Sequence, residues 1–260
     1  MNDFSFTETL LVASFVFLIV GAMWNGVATA WKMRDNSDDW LLKLPSRTSN
    51  QFVDGLFSGQ WLLVALSGYY VVVAQPDPRD FGFQPLGYYW PLAFIAGCLS
   101  YAIFVAIFEW IIRRLGASDE MTAAAYIGAR SIWPRDKDKV WRLRVALALN
   151  PFTEELLYRG FLVYFLGNLF DARLSFVALG LIACLAAHAY QGTRILWFHA
   201  GFYCLNIVLL FSPFGIVAAF GAHLIGDFYP LTLIRRQRDT YRAMRRKRRA
   251  LQKPRSEDTA

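Results

Sequence analysis

Apolar residues along this chain come in long runs rather than in the one-faced stripes of a soluble helix. Runs of about 20 mostly apolar residues, the length that crosses a bilayer core, fall at 9–30, 56–74, 86–112, 145–166, 174–190, 195–211 and 214–234. Polar stretches separate them. The first, 31–54, holds Lys32, Arg34, Lys43 and Arg47, and 75–85 is a turn region punctuated by Pro and Asp. The longest, 113–144, holds Arg113, Arg114, Arg130, Arg135, Lys137, Lys139, Arg142 and Arg144. Inside it, 121–132 is mildly apolar and suits a short helix lying in the membrane interface. A short connection spans 168–173, and from 235 onward Arg and Lys dominate. The pattern predicts an all-α fold: a polytopic membrane helical bundle of about seven transmembrane helices, within a range of six to eight. It forms one transmembrane domain, 1–234, followed by a flexible basic tail, 235–260.

Composition agrees with this reading. The chain is 56% hydrophobic and only 18% charged, with 22 Phe, 12 Tyr and 9 Trp, which is too apolar for an ordinary soluble domain. A net charge of +7 would suggest nucleic acid in a soluble protein. Here the basic residues flank the apolar runs, so anionic lipids at the membrane surface account for them, and no nucleic-acid partner is expected. With the N-terminus outside, the loops with four and eight basic residues and the tail fall inside, leaving only Arg79 and Arg173 in the outer loops. That is the positive-inside pattern, and it puts the C-terminus in the cytoplasm. In a bacterium the membrane would be the plasma membrane. Residues 1–8 carry Asp3 and Glu8 but no Lys or Arg, so the run 9–30 is expected to remain as a span rather than be cleaved as a signal. Cys98, Cys184 and Cys204 all lie in apolar runs without C-x-x-C spacing and are expected to be buried small hydrophobes.

The candidate chemistry sits where charge is most costly. Within the run 145–166 the chain reads Glu154-Glu155-Leu156-Leu157-Tyr158-Arg159. A charge at membrane depth costs roughly 2.5–3.5 kcal/mol on the insertion scale and so marks a protein interior or a wet cavity. Glu155 and Arg159 are four apart on one helix face and are expected to pair. Glu154, turned about 100° away, lacks that partner and is available for chemistry. All three histidines lie downstream in successive runs: His188, His199 and His223. His223 and Asp227 share a face four residues apart. His199 is expected to be a helix–helix hydrogen-bond donor. The others should converge with Glu154 on one chamber in the cytoplasmic half of the membrane.

Three chemistries fit such a set. A buried carboxylate helped by His can take a proton from water while other polar groups hold the developing oxyanion. Glu154, His188 and His223 could instead bind zinc, with a second Glu as base, although no His-Glu-x-x-His sequence is present. Intramembrane acids also serve proton-coupled transport, but no inverted repeat accompanies them.

The order Glu-Glu-x-x-x-Arg, then His near a span end, then His-x-x-x-Asp resembles the CPBP family, the CAAX-protease and bacteriocin-processing (Abi) intramembrane proteases. The resemblance covers about 150–229 and sits in a family-like core of about 142–234. It implies an endopeptidase of glutamate type, with Glu154 activating water, His188 assisting, His223 and Asp227 holding the oxyanion, and Arg159 fixing Glu155; no cofactor is expected, with zinc as the alternative because the family has also been described as metal-dependent. The substrate implied is a membrane-associated peptide or protein, possibly prenylated. Two positions depart from the family pattern: Cys184 stands where Phe is usual four before His188, and Asp227 replaces the commoner Asn. An ionised Asp227 cannot donate to an oxyanion, so it must be protonated or orient His223. Members of the family without protease activity also leave open a membrane scaffold or immunity-type protein.

Overall fold

The computed structural model describes residues 6–33, 54, 57–59, 61–62, 64–66, 68–69, 72, 75, 77–134, 136–189 and 193–252. Every regular element among them is helical, and no strand occurs among the described residues. α1 is Phe6–Met33; after 3-10 turns at Pro78–Phe81 and Gly87–Tyr89 come α2 (Trp90–Arg114) and α3 (Ser118–Ile132). A 3-10 turn at Lys137–Lys139 leads into α4 (Val140–Glu154), which continues as a π-helical stretch (Glu155–Phe165) and one last turn, α5 (Leu166–Leu169). α6 (Arg173–Ala187), α7 (Thr193–Leu210), α8 (Gly215–Thr232) and α9 (Ile234–Gln252) complete the order. The expected loop 31–54 and the second apolar run, 56–74, lie largely outside the described residues.

Among the described residues one helix, Gly87–Arg114, can cross a membrane alone by length and composition, and α8 with α9 passes as a pair bent by 55°. The apolar parts of the others are shorter, Arg173–Ala187 and Ile195–Leu210 among them. The exterior is nonetheless strongly apolar. Phe17 and Trp24 on α1, Leu99, Ile103 and Ile107 on α2, and Trp197 on α7 all stand exposed, a surface that soluble monomers avoid over so large an area.

The centre of the fold is the π-helical stretch. Leu157 to Val163 are buried without interruption, so this segment touches protein on every side. Pro151 sits inside α4 just before it, and a proline there removes one i→i−4 bond and disturbs the ladder that follows. A plain α-helix is what the apolar run predicts; the wide-turn form, often found at functional sites, is what forms. Around this post, α2 and α8 approach through small residues. A Cβ on Gly97 would lie 1.9 Å from the Ala218 carbonyl oxygen, and one on Gly221 would lie 2.2 Å from that of Phe94. Such contacts let backbones meet where lipid offers no hydrophobic drive for helix association. α8 starts at Gly215, whose φ of +61° suits glycine; the next N–H, of Ile216, donates to the Gly82 carbonyl at 3.0 Å. That bond ties the 75–85 turn region to the helix that carries His223.

The basic tail requires a correction. Rather than a flexible extension, Ile234–Gln252 is a helix. Ile234, Tyr241 and Met244 pack on Ala123, Tyr126 and Ile127 of α3, with the Tyr126 and Tyr241 rings 5.3 Å apart. The apolar stripe at helical spacing is what docks α9, and the Arg-rich composition hides it. The short helix expected at 121–132 is therefore α3, and it is covered by α9.

Candidate active site

Four helices bring the polar residues together. The junction of α4 and the π-helical stretch presents Glu154 and Glu155 in succession, and α8 presents His223 and Asp227. The end of α6 places His188, and α7 carries His199, Tyr203 and Asn206.

The two neighbouring glutamates have different surroundings. Glu155 is 0% exposed. Its Oε1 lies 3.1 Å from Arg159 Nη1, 2.6 Å from His223 Nδ1 and 3.3 Å from Asn206 Nδ2. The Arg159 guanidinium is itself 4.6 Å from the centre of the Tyr203 ring. The i,i+4 pair predicted from spacing is present, and its carboxylate also anchors a histidine on another helix. A carboxylate only accepts, so His223 Nδ1 carries the proton of that bond.

Glu154 is 21% exposed at its side chain, and its Oε2 lies 3.7 Å from His223 Nε2. Asp227 Oδ1 lies 3.6 Å from the same nitrogen. Both separations are just past hydrogen-bond length, so His223 Nε2 faces two carboxylates without being bonded to either. Asp227 Oδ2 accepts from Asn150 Nδ2 at 3.2 Å. Asp227 therefore serves as an acceptor here. It faces His223 Nε2 without a hydrogen bond to it.

His188 follows the last residue of α6, and its Nδ1 is 2.8 Å from the Cys184 carbonyl oxygen. A carbonyl also only accepts, so Nδ1 carries hydrogen and Nε2 of the neutral ring is left as an acceptor. The departure from Phe at position 184 matters little to this contact, because the backbone makes it. The ring of His199 lies against that of His188, with centroids 4.2 Å apart and the planes tilted by 31°.

A cavity of roughly 300 Å³ is lined by Asn150, Glu154, His188, His199 and Asp227, with Tyr101, Phe108 and Phe198 on its apolar side. Glu155 and Arg159 lie behind it, as the spacing argument expects, and His223 is buried beside them at 5% exposure. Asn150, Asn206 and the His188–His199 contact escape the sequence reading. Asn150 carried a usable signal: it lies four residues before Glu154, on one helix face, in an apolar run. Asn206 carried only the fact of an amide at membrane depth. Among the described residues no three His, Cys, Asp or Glu side chains are grouped so as to hold a metal ion; His188 and His223 each commit Nδ1 elsewhere.

The stretch 136–229 matches a family model, Rce1-like, described as type II CAAX prenyl endopeptidase. The description names a family of prenyl endopeptidases, and the likeness is confined to this stretch. The matched stretch, little more than a third of the chain, contains every polar residue of the site, from Asn150 to Asp227. It nearly coincides with the core that the motifs delimit in the sequence. No curated protein and no solved structure matches the chain.

Proposed function

We propose that this protein is an intramembrane endopeptidase of glutamate type, hydrolysing a peptide bond near the cytoplasmic face of the membrane without a metal. Its substrate is a membrane-associated peptide of CAAX pattern, with a prenylated cysteine three residues before the C-terminus. The observation that carries the proposal is the division of labour between two adjacent carboxylates. Glu155 is fully enclosed by Arg159, His223 and Asn206, whereas Glu154 borders the cavity beside His188.

In this reading a water bound between Glu154 and His188 Nε2 gives its proton to the Glu154 carboxylate as its oxygen attacks the peptide carbonyl. The developing oxyanion is held by the Nε2–H of a doubly protonated His223, which Glu155 orients through Nδ1 and whose charge Asp227 faces. Collapse of the tetrahedral intermediate breaks the C–N bond, and Glu154 passes the proton to the leaving amine. His223 is fixed before substrate arrives, since Glu155 grips its other nitrogen. The full topology belongs to the same proposal: seven spans in one domain over 1–234, the N-terminus outside, the C-terminus cytoplasmic and the basic tail on anionic lipids.

The deciding experiment is Glu154→Gln in the purified full chain, assayed on a prenylated model peptide with and without a strong chelator. We expect cleavage by the unaltered protein in chelator, and a fall of about 10²–10⁴-fold in the variant, the usual contribution of a general base. Equal activity in the variant removes Glu154 as the base, and loss of cleavage in chelator replaces the water-base reading with a metal-dependent one. A folded protein that cleaves nothing would be a scaffold.

A further inference from the structure

The cavity does not end at Glu154. Its far side is built by residues beyond 136–229: Glu109 and Arg113 near the end of α2, Thr122 on α3, and Arg236 and Gln237 on the first turn of α9. Arg113 is engaged at 2.9 Å by Glu109, while Arg236 stands exposed at the mouth. Gln237 is 6% exposed, yet among the described residues its buried side-chain oxygen has no hydrogen-bond partner. A buried unpaired acceptor is costly and is retained where something else supplies the donor. Gln237 lines the cavity as a residue, and its amide oxygen, turned toward a bound peptide, would accept from a backbone N–H. A guanidinium beside it pairs best with a carboxylate, through two parallel hydrogen bonds.

We propose that Arg236 and Gln237 form the subsite for the end of the peptide. Arg236 pairs with the free C-terminal carboxylate, and the Gln237 amide oxygen accepts a backbone N–H of the residues to be released. This rests on the endopeptidase reading above and adds the feature by which the site recognises a chain terminus.

Length supports it. Arg236 follows Asp227 by nine positions, which at about 1.5 Å per helical residue is roughly 13 Å, shortened by the 55° bend between α8 and α9. Three extended residues cover about 10 Å, and the arginine side chain spans the remainder. A terminus bound at α9 therefore places a bond three residues earlier beside Asp227 and Glu154. An anionic lipid headgroup would also attract Arg236. The peptide is favoured because Arg236 and Gln237 line the same cavity as Glu154, and because an unpaired amide oxygen offers a lipid phosphate nothing.

The test uses two prenylated model peptides of identical sequence, one with a free C-terminal acid and one with a C-terminal amide. They are cleaved by the full chain in vesicles of zwitterionic lipid, with and without added anionic lipid. We expect kcat/KM to favour the acid by about tenfold or more, as for one charge-assisted pair, chiefly through KM. In Arg236→Gln the acid-to-amide ratio should fall toward one, whereas a merely structural role would lower both peptides and keep the ratio. Equal cleavage of acid and amide by the unaltered chain overturns the proposal, as does a ratio that survives in Arg236→Gln. An effect of Arg236→Gln that is equal for both peptides and appears only with anionic lipid identifies a lipid contact and also overturns it. Loss of Glu154-dependence for both peptides is a different outcome: it overturns the endopeptidase reading, and this proposal with it.

Discussion

Removing the Arg159 guanidinium is the perturbation whose size follows most directly from the structure. Arg159 and Glu155 are 2% and 0% exposed at their side chains, with Nη1 and Oε1 3.1 Å apart. Arg159→Ala strands a carboxylate where no water replaces the lost partner, and breaking a buried pair in this way costs about 3–5 kcal/mol. Glu155 keeps His223 Nδ1 at 2.6 Å and Asn206 at 3.3 Å, so the lower end applies, about 3 kcal/mol. At about 2–4 °C per kcal/mol for a domain of 150–250 residues, the melting temperature should fall by roughly 6–12 °C. Thermal unfolding in mild detergent, followed by tryptophan fluorescence, measures this. Glu154→Gln, at a position open to the cavity, is the internal control and should shift the midpoint by no more than about 2 °C, as for a substitution away from buried pairs. Replacing both partners, as Glu155→Gln with Arg159→Met, should recover part of the loss, because the guanidinium and its carboxylate leave together and an amide oxygen remains to accept from His223 Nδ1–H. An unaltered midpoint in Arg159→Ala would refute the claim that Glu155 depends on this charge. A double replacement as unstable as the single one would attribute the loss to packing against Tyr203 instead.

Asn150→Ala frees Asp227 Oδ2 from its donor and should lower kcat/KM on the prenylated peptide by about tenfold, as expected for one hydrogen bond to a charged group, with little change in KM; unaltered steady-state kinetics would exclude Asn150 from positioning Asp227. At the start of α4, Asp54 meets Lys139 at 2.5 Å and Arg142 at 2.7 Å, and hydrogen bonds from Lys139 and then Arg142 hold its carboxyl below the ordinary 3.8. A carboxylate with a lowered folded pKa contributes stability at neutral pH and loses it as pH falls through that lowered value. Asp54→Asn should therefore reduce the melting temperature slightly at pH 7, and the difference should shrink as pH falls through the lowered pKa of the folded carboxyl and Asp54 takes up its proton; a loss that does not change with pH would show that charge is not the cause.

The helical class was legible in the sequence because apolar runs of bilayer length leave the chain few other ways to satisfy its backbone. The Glu155–Arg159 pair and the shared face of His223 and Asp227 were legible because i,i+4 neighbours are set by the pitch of one helix. The separation of Glu154 from Glu155 followed from the same local geometry. The α9 stripe at 234, 241 and 244 was equally periodic, but the Arg-rich composition around it obscured the signal.

Contacts between helices were decided elsewhere. That Glu155 grips His223, that Asn150 holds Asp227 and that His199 lies against His188 depend on the register and closeness of α4, α6, α7 and α8. Spacing within one helix carries no record of these, since each joins residues on different helical segments. The register comes instead from where backbones can touch, as at Gly97 against Ala218 and Gly221 against Phe94, and from the π-helical turn that re-aims everything after Glu154. By itself the sequence determined which side chains are too costly to leave in lipid. Only the packed structure decided which of them meet, because meeting is a property of the distances between helices.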